Sequence, residues 1–221
     1  MKRAAEYVTP GTLDDAAARW LADVRGQTRP RPKLRLDARR CCLLCIDLVN
    51  YFVHEGGRAF LPASAAVVPR VAGLVDAFRA KGAPVAFTRH AHEGPADLGM
   101  LGRFYSDYIR DGEDESRLAE AFAPRADEPV FKKRTYDAFT GTGLDEWLRL
   151  RGCDQVLVTG VLTHLCCETT ARAAFVRGFE VYLAADATAT TTERLHLGSL
   201  LALADGFAVV LSAKEATACL G

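Results

Sequence analysis

The sequence has no excess of charge of either sign, because 28 lysines and arginines are balanced by 28 aspartates and glutamates among its 221 residues. Nucleic-acid-binding proteins usually present a basic surface, so the charge balance gives no reason to expect a nucleic-acid partner. The chain also lacks an uninterrupted apolar run of the ~20 residues that a membrane-spanning helix needs. Its first 15 residues lack the apolar segment of a secretory signal peptide. We therefore expect a cytoplasmic protein with no membrane partner.

The sequence also lacks two cysteine pairs at the spacing of a zinc site. Cys42 and Cys45 form a single C-x-x-C pair, and it lies inside the strand-like run CCLLCID. Free cysteines are among the most buried residues of proteins, so we interpret these as core residues. In a reducing compartment we expect no disulfides. No metal and no other cofactor is predicted.

Apolar segments of strand length alternate with segments of helical periodicity along most of the chain. The strand-like segments are almost continuously apolar, which is typical of strands buried on both faces of a parallel sheet. This pattern predicts a three-layer α/β/α fold with a mostly parallel, Rossmann-like sheet of about six strands. The predicted strands are 40–48, 84–88, 129–133, 155–159, 179–184 and 207–211. The predicted helices are 63–80, 114–122, 144–150, one that begins at Cys166, 192–204 and 214–220.

The first 38 residues lie outside this alternation and are predicted to form an N-terminal helical extension (1–38) ahead of one α/β domain (39–221). Thr12 or Asp14 is expected to cap a helix. The extension could pack on its own chain or on a neighbouring subunit. The apolar stripe of its helix consists of Ala16, Trp20, Leu21 and Val24.

Three reactive side chains occupy the carboxyl end of a predicted strand, the edge that lines the ligand crevice of open parallel sheets. Asp47 ends the first strand, Lys133 ends the third, and Cys166 lies where the fourth passes through a turn at 159–160 into a helix. A nearby ammonium and a helix N-terminus lower the pKa of a thiol, and a carboxylate can take its proton. Backbone N–H groups of the turn at 160–163 could bind an oxyanion. The set predicts acyl transfer by a thiol, although Cys166 taken alone could be a buried structural cysteine.

His90 and His92 follow the second strand, two residues apart. Two imidazoles could share a metal, but no third ligand is evident at a recognisable spacing. We instead expect solvated side chains, or one imidazole that faces the substrate. The long segment Leu98–Ile109 is expected to be either a lid or an interface.

Four segments together resemble the isochorismatase-like cysteine hydrolases: DLVNYF, KKRTYDAF, GVLTHLCCETTARAA and VYLAADATAT. That family includes nicotinamidases, N-carbamoylsarcosine amidase, and ureidoacrylate and biuret hydrolases. The resemblance covers about residues 40–212 and implies that 39–221 is the hydrolase domain. It implies a catalytic triad of Asp47, Lys133 and Cys166. Cys167 stands where the family usually has valine and should face the packed side of the helix.

The resemblance also implies a cis peptide bond between Val161 and Leu162, and an oxyanion hole made by the backbone N–H groups of Leu162 and Cys166. Members of the family form dimers and tetramers, so a homo-oligomer is expected. Candidate walls of the substrate pocket are Phe52, His92 and Tyr136.

The chain departs from its relatives at three places. Nicotinamidases carry an Asp-x-His metal site where this chain has His90-Ala91-His92, which argues against a bound zinc ion. Isochorismatases proper lack the nucleophilic cysteine, so Cys166 favours an amide, ureide or carbamoyl substrate. Val49 replaces a glutamine of the family pattern, which puts in doubt any contact made through that side chain.

We therefore predict a cysteine-dependent amidohydrolase that cleaves a C–N bond of a small molecule through a thioester. One alternative is an isochorismatase-type vinyl ether hydrolase that uses Asp47 and Lys133 without the cysteine. The other is a catalytically idle module that binds a small ligand.

Overall fold

A computed structural model describes residues 4–220. Its centre is a sheet of six strands, all parallel, in the order β3-β2-β1-β4-β5-β6. The predicted three-layer parallel fold is confirmed. The strands are β1 (Cys41–Ile46), β2 (Val85–His90), β3 (Val130–Lys133), β4 (Gln155–Val161), β5 (Glu180–Ala189) and β6 (Val209–Leu211).

Helices flank the sheet in two groups. The first group is α3, which contacts β1, β4 and β5, and α8, which contacts α3 and β5; the second group is α1, α6 and α7. In the described part of the chain, no helix has the length and apolar character needed to cross a membrane. The helices are α1 (Leu13–Gln27), α2 (Asn50–Val53), α3 (Ser64–Ala80), α4 (Leu101–Phe104), α5 (Leu144–Leu150), α6 (Glu168–Val176), α7 (Glu193–Gly206) and α8 (Ala213–Cys219).

The two central strands carry no exposed residue, as expected for strands covered by helices on both faces. Cys42 and Cys45 are completely buried in β1, and all cysteines of the described chain are free thiols. Their interpretation as core residues is confirmed.

The N-terminal segment packs on its own chain. The ring of Trp20 lies 4.4 Å from that of His196 in α7, and Trp20 Nε1 donates to Glu193 at 2.8 Å. Tyr7 accepts a hydrogen bond from the backbone of Thr190. The predicted stripe on α1 is buried, and Thr12 occupies the N-cap position as predicted. Its side chain does not cap the first turn, however, and instead accepts from the backbone N–H of Thr9. The division of the chain at residue 38 stays a prediction.

Residues 114–122 do not form the predicted helix. A single 3-10 turn, Asp114–Ser116, is followed by an isolated bridge between Leu118 and Val49 and by a turn at 120–121. The backbone there bonds to the segment after β1 rather than to itself, since Ala119 N–H donates to Leu48 O at 2.9 Å and Asn50 N–H donates to Arg117 O at 2.9 Å. These bonds tie the segment to the edge of the site.

The predicted turn at 159–160 is also wrong, because β4 continues to Val161. Gly160 has φ of +106°, and a Cβ atom there would lie 2.1 Å from the backbone oxygen of Ile46. Only glycine allows β4 to run this close to β1 in this conformation. The helix also begins earlier than predicted, with a π-helical turn over Thr163–Cys167 that leads into α6.

Candidate active site

The carboxyl ends of β1, β3 and β4 bring together the three predicted catalytic side chains. Lys133 Nζ lies 2.7 Å from Asp47 Oδ2 and 3.2 Å from Cys166 Sγ. Asp47 is fully buried, and Lys133 and Cys166 are exposed by only 1% and 3%. A carboxylate, an ammonium and a thiol therefore share one site that is shielded from bulk water.

Asp47 leaves β1 in an unusual backbone conformation, with φ of +49°. Aspartate is one of the few residue types that adopt this left-handed region at modest cost. Thr88 of β2 fixes the residue twice: its hydroxyl donates to Asp47 Oδ1 at 2.7 Å and accepts from the Asp47 backbone N–H at 3.1 Å. One carboxylate oxygen thus faces Thr88 and the other faces Lys133.

Lys133 points inward because side chains alternate along β3. Its neighbour Lys132 points to the other face and pairs with Asp111 at 2.8 Å and with Glu93 at 3.1 Å. Lys133 also donates to the backbone oxygen of Thr135 at 2.8 Å. Burial disfavours its charge, but the anionic forms of Asp47 and Cys166 more than offset this, and the pKa of Lys133 is raised.

The Cys166 thiol does not have the lowered pKa predicted for a helix N-terminus beside a lysine. Burial raises its pKa to about 12; Lys133 opposes this increase, and Asp47 adds to it. Desolvation of a thiolate and repulsion by an adjacent carboxylate thus outweigh one ammonium. Cys166 is a protonated thiol at neutral pH, and its proton must leave as the sulfur reacts.

The backbone after β4 carries the predicted cis peptide bond between Val161 and Leu162. Leu162 and Cys166 both line the cavity beside the triad. Cys167 is fully buried, with Sγ 3.8 Å from the backbone oxygen of Thr159, so it faces the packed side as predicted.

A cavity of about 870 Å³ opens onto Cys166. The three predicted pocket walls, Phe52, His92 and Tyr136, all line it. The Leu98–Ile109 segment forms one side of the cavity, and Tyr105 in this segment bonds the hydroxyl of Tyr136 at 2.9 Å. The segment therefore covers the cavity of its own chain, as a lid would.

His90 and His92 are buried, which contradicts the expectation of solvated loop residues. His90 belongs to β2, and its register opposite Lys133 of β3 turns both side chains into the site. His90 Nδ1 lies 3.3 Å from Lys133 Nζ. Burial, followed by the charge of Lys133, lowers the pKa of His90 to about 3, so its imidazole is neutral at neutral pH.

One group of potential metal ligands meets in the site. Atoms of Asp47, His90 and Cys166 lie within 4.8 Å of one another. Lys133 Nζ, however, lies within 3.3 Å of all three residues, so a lysine ammonium already supplies the positive charge. These residues do not fit a metal ion.

Sequence reasoning missed two contributors, Thr88 and Thr135. Thr88 ends a predicted strand, at the same sheet edge as Asp47, and that position was an available signal. Thr135 contributes only its backbone oxygen, so no residue type could have indicated it.

Comparisons with known proteins point in one direction. A family model described as the isochorismatase domain matches residues 41–215. Nicotinamidase 3 of Arabidopsis thaliana is 39% identical over 182 residues, covering 81% of this chain and 88% of that protein. Enterobactin synthase component B of Escherichia coli K12 is 29% identical over 81% of this chain, but the match spans only 63% of that longer protein.

Among solved structures, a cysteine hydrolase from Pseudomonas syringae pv. phaseolicola 1448A superposes with a TM-score of 0.82. It is 25% identical, and the match covers 86% of this chain and 97% of that one.

Proposed function

Since the chain belongs to the isochorismatase family, we propose that it is a cysteine amidohydrolase that cleaves a C–N bond of a small molecule. Its catalytic triad is Asp47, Lys133 and Cys166. The observation that carries the proposal is the position of Lys133 Nζ, 2.7 Å from the carboxylate and 3.2 Å from the thiol. A base, a cation and a nucleophile in contact at the floor of a cavity are the parts that acyl transfer requires.

The reaction begins with Cys166 as a thiol. Asp47 takes the proton from sulfur while sulfur attacks the carbonyl carbon, because a free thiolate is disfavoured at this depth of burial. The oxygen of the tetrahedral intermediate accepts hydrogen bonds from the N–H groups of Leu162 and Cys166. Asp47 then gives the proton to the leaving nitrogen, the C–N bond breaks, and a thioester remains.

The second half of the reaction reverses these roles. Asp47 takes a proton from water, the hydroxyl attacks the thioester, and the released sulfur regains the proton. Lys133 remains an ammonium throughout and balances the negative charge, which moves between carboxylate, sulfur and oxygen. No proton or electron needs to come from a cofactor.

The charges of the cavity favour a neutral substrate. Among the described residues that line it, Arg58 is the one arginine or lysine. Arg58 is already paired with Asp107 at 2.7 Å and with Glu115 at 2.5 Å. Isochorismate, a dicarboxylate, would bury its charges without a free cation, whereas an amide would not. The name of the Arabidopsis relative makes nicotinamide the first amide to test.

The vinyl ether hydrolase is the second candidate, and the chain's family supports it. It uses Asp47 and Lys133 and leaves Cys166 a bystander. An idle ligand-binding module would need none of the three side chains. The three candidate functions predict different products: ammonia for the amidohydrolase, pyruvate for the vinyl ether hydrolase and none for the idle module.

The test is a substrate screen with the purified protein. The panel contains nicotinamide, a ureide, an N-carbamoyl amino acid and biuret, assayed for ammonia, and isochorismate, assayed for pyruvate. We expect ammonia from at least one amide, and loss of that activity once prolonged iodoacetamide treatment above about pH 9 has alkylated Cys166, as verified by peptide mapping. Pyruvate release that survives alkylation of Cys166 would favour the vinyl ether hydrolase instead.

The proposal also includes a cytoplasmic homo-oligomer, a dimer or tetramer, whose partner is a small molecule and neither nucleic acid nor membrane. Balanced charge supports the absence of a nucleic-acid partner. Two exposed apolar side chains on the Leu98–Ile109 segment, hereafter the lid, support a subunit contact: Met100 and Phe104. Light scattering after gel filtration gives the mass, and a monomer at micromolar concentration would contradict the oligomer.

A further inference from the structure

Lys133 has more hydrogen-bond acceptors around it than it has protons. An ammonium group has three N–H bonds, so four acceptors share three donors. Two acceptors are oxygens at short distance, which leaves sulfur and an imidazole nitrogen to share the third proton. The distances from Nζ are 2.7 Å to Asp47 Oδ2, 2.8 Å to Thr135 O, 3.2 Å to Cys166 Sγ and 3.3 Å to His90 Nδ1.

Contacts continue beyond His90 to the edge of the site. His90 Nε2 lies 2.9 Å from His92 Nε2, and His92 Nδ1 lies 3.4 Å from Asp97 Oδ1. Asp97 is held by the backbone N–H groups of Glu93 and Gly94 and by Arg134 at 3.1 Å. This series of contacts therefore leads from a buried ammonium, through two buried imidazoles, to an anchored carboxylate.

The ammonium fixes the direction of the bonds that follow it, because it can only donate. His90 Nδ1 must therefore accept from Lys133, so that the proton of this neutral ring sits on Nε2. That proton is donated to His92 Nε2. A His92 ring that accepts there carries its own proton on Nδ1, the nitrogen that lies 3.4 Å from the Asp97 carboxylate. Each ring then has one proton, in agreement with the neutral state of His90.

A metal ion between the two imidazoles is the competing explanation. Within residues 4–220, no cluster of three potential ligands includes His92. Two nitrogens alone do not make a protein metal site of the usual three or four ligands. The direct contact of the two rings is better explained as a hydrogen bond.

We propose that His90 is a positioning residue. Its Nδ1 accepts the third N–H of Lys133 whenever the sulfur of Cys166 cannot accept it. His92, which accepts from His90 Nε2, holds the His90 ring in the tautomer that accepts from Lys133. This inference rests on the proposed role of Lys133 as the cation of the triad.

The sulfur of Cys166 changes as an acceptor during the reaction. A thiolate attracts an ammonium N–H strongly, whereas a thiol and a thioester sulfur are weak acceptors. Without His90, one N–H of Lys133 would be buried and poorly bonded at the thiol and thioester stages, which costs free energy. With His90, Nζ keeps its place at each stage, and Asp47 keeps its partner.

The first test observes the tautomers directly. Long-range ¹H–¹⁵N correlation spectra of the wild-type protein should show His90 protonated on Nε2 and His92 protonated on Nδ1. Metal analysis of the same sample should find no stoichiometric metal. The opposite tautomer at His90, or one bound metal ion per chain that is lost in His92→Gln, would overturn the proposal.

The second test separates positioning from substrate contact, because His92 also lines the cavity. In His92→Gln, the side-chain amide oxygen can still accept from His90, whereas His92→Phe keeps the volume and removes the acceptor. We expect kcat of His92→Phe to fall about tenfold, the effect of one lost hydrogen bond in the transition state, with KM nearly unchanged. His92→Gln should recover most of kcat. A change in KM alone, equal in both variants, would contradict the proposal.

The outcomes distinguish this inference from the proposed function. The tautomers are measured without substrate, so that result does not depend on which reaction the protein catalyses. If Cys166→Ala stays active, the proposed function fails even with the predicted tautomers. If Cys166→Ala is inactive but His90 carries its proton on Nδ1, only the positioning role fails.

Discussion

Lys133 Nζ lies 2.7 Å from Asp47 Oδ2, and both side chains are fully buried. Removing one member of such a pair leaves an unpaired charge in a dry site, which typically costs about 3–5 kcal/mol. We predict that Lys133→Met lowers the free energy of unfolding by this amount and abolishes activity. Urea unfolding, followed by circular dichroism, measures the first effect.

Lys132→Met is the matched control, because Lys132 is the preceding residue and its ion pairs are partly exposed. Its loss should lower stability by no more than about 1 kcal/mol. A double variant, Lys133→Met with Asp47→Asn, should recover part of the stability and none of the activity. Equal stability of the two single lysine variants would contradict the buried pair.

Much of this arrangement can be predicted from the sequence, and there are physical reasons why some parts can be predicted and others cannot. Continuous apolar runs identify buried parallel strands, and an acid, a lysine and a cysteine at strand ends must then meet at one edge. The tautomers and partners of His90 and His92 depend on the register of β2 against β3, which composition does not encode. The raised pKa of Cys166 depends on depth of burial, which opposes the local effect of the lysine.

The protonated state of Cys166 leads to a prediction on alkylation. Because its pKa is about 12, its reaction with iodoacetamide should be slow at pH 7 and accelerate as pH rises above about 9. Asp47 raises this pKa, so Asp47→Asn should alkylate faster at a given pH. Peptide mapping by mass spectrometry gives the rate at Cys166, with the exposed Cys219 as internal reference. Rapid modification of the wild type at pH 7 would show a stabilised thiolate and contradict this account.

The hydrogen bond between Tyr105 and Tyr136, 2.9 Å long, joins the lid to the wall of the cavity. Tyr105→Phe removes it and keeps the ring, so the lid should close less completely and KM should rise a few fold, as one hydrogen bond implies. Tyr136→Phe should have the same effect, and the double variant should do no further harm. Additive effects in the double-mutant cycle would show that the two hydroxyls act separately.

Asp111 makes stability depend on pH in acid. Hydrogen bonds from Arg89 and then Lys132 lower its pKa to about 2. A lowered folded-state pKa stabilises the protein above the unfolded pKa, about 3.9, and this contribution is lost as pH falls towards 2. Asp111→Asn should therefore cost about 1–2 kcal/mol at pH 7 and progressively less between pH 5 and 3.

Urea unfolding of the wild type and of Asp111→Asn at several pH values measures the difference between their free energies of unfolding. Asp107→Asn is a suitable comparison, because Asp107 also pairs with an arginine but is more exposed. A difference between Asp111→Asn and the wild type that stays constant from pH 7 to pH 3 would contradict the ionic role of Asp111.

The central claim is that Cys166 is the nucleophile. The most direct measurement is ammonia release from the best amide of the screen by the wild type, Cys166→Ala and Cys167→Ala. Cys167 is the matched control, an adjacent thiol that is buried on the packed side. We predict that Cys166→Ala folds like the wild type and releases no ammonia above background, while Cys167→Ala remains active. Ammonia release by Cys166→Ala at the wild-type rate would contradict the account.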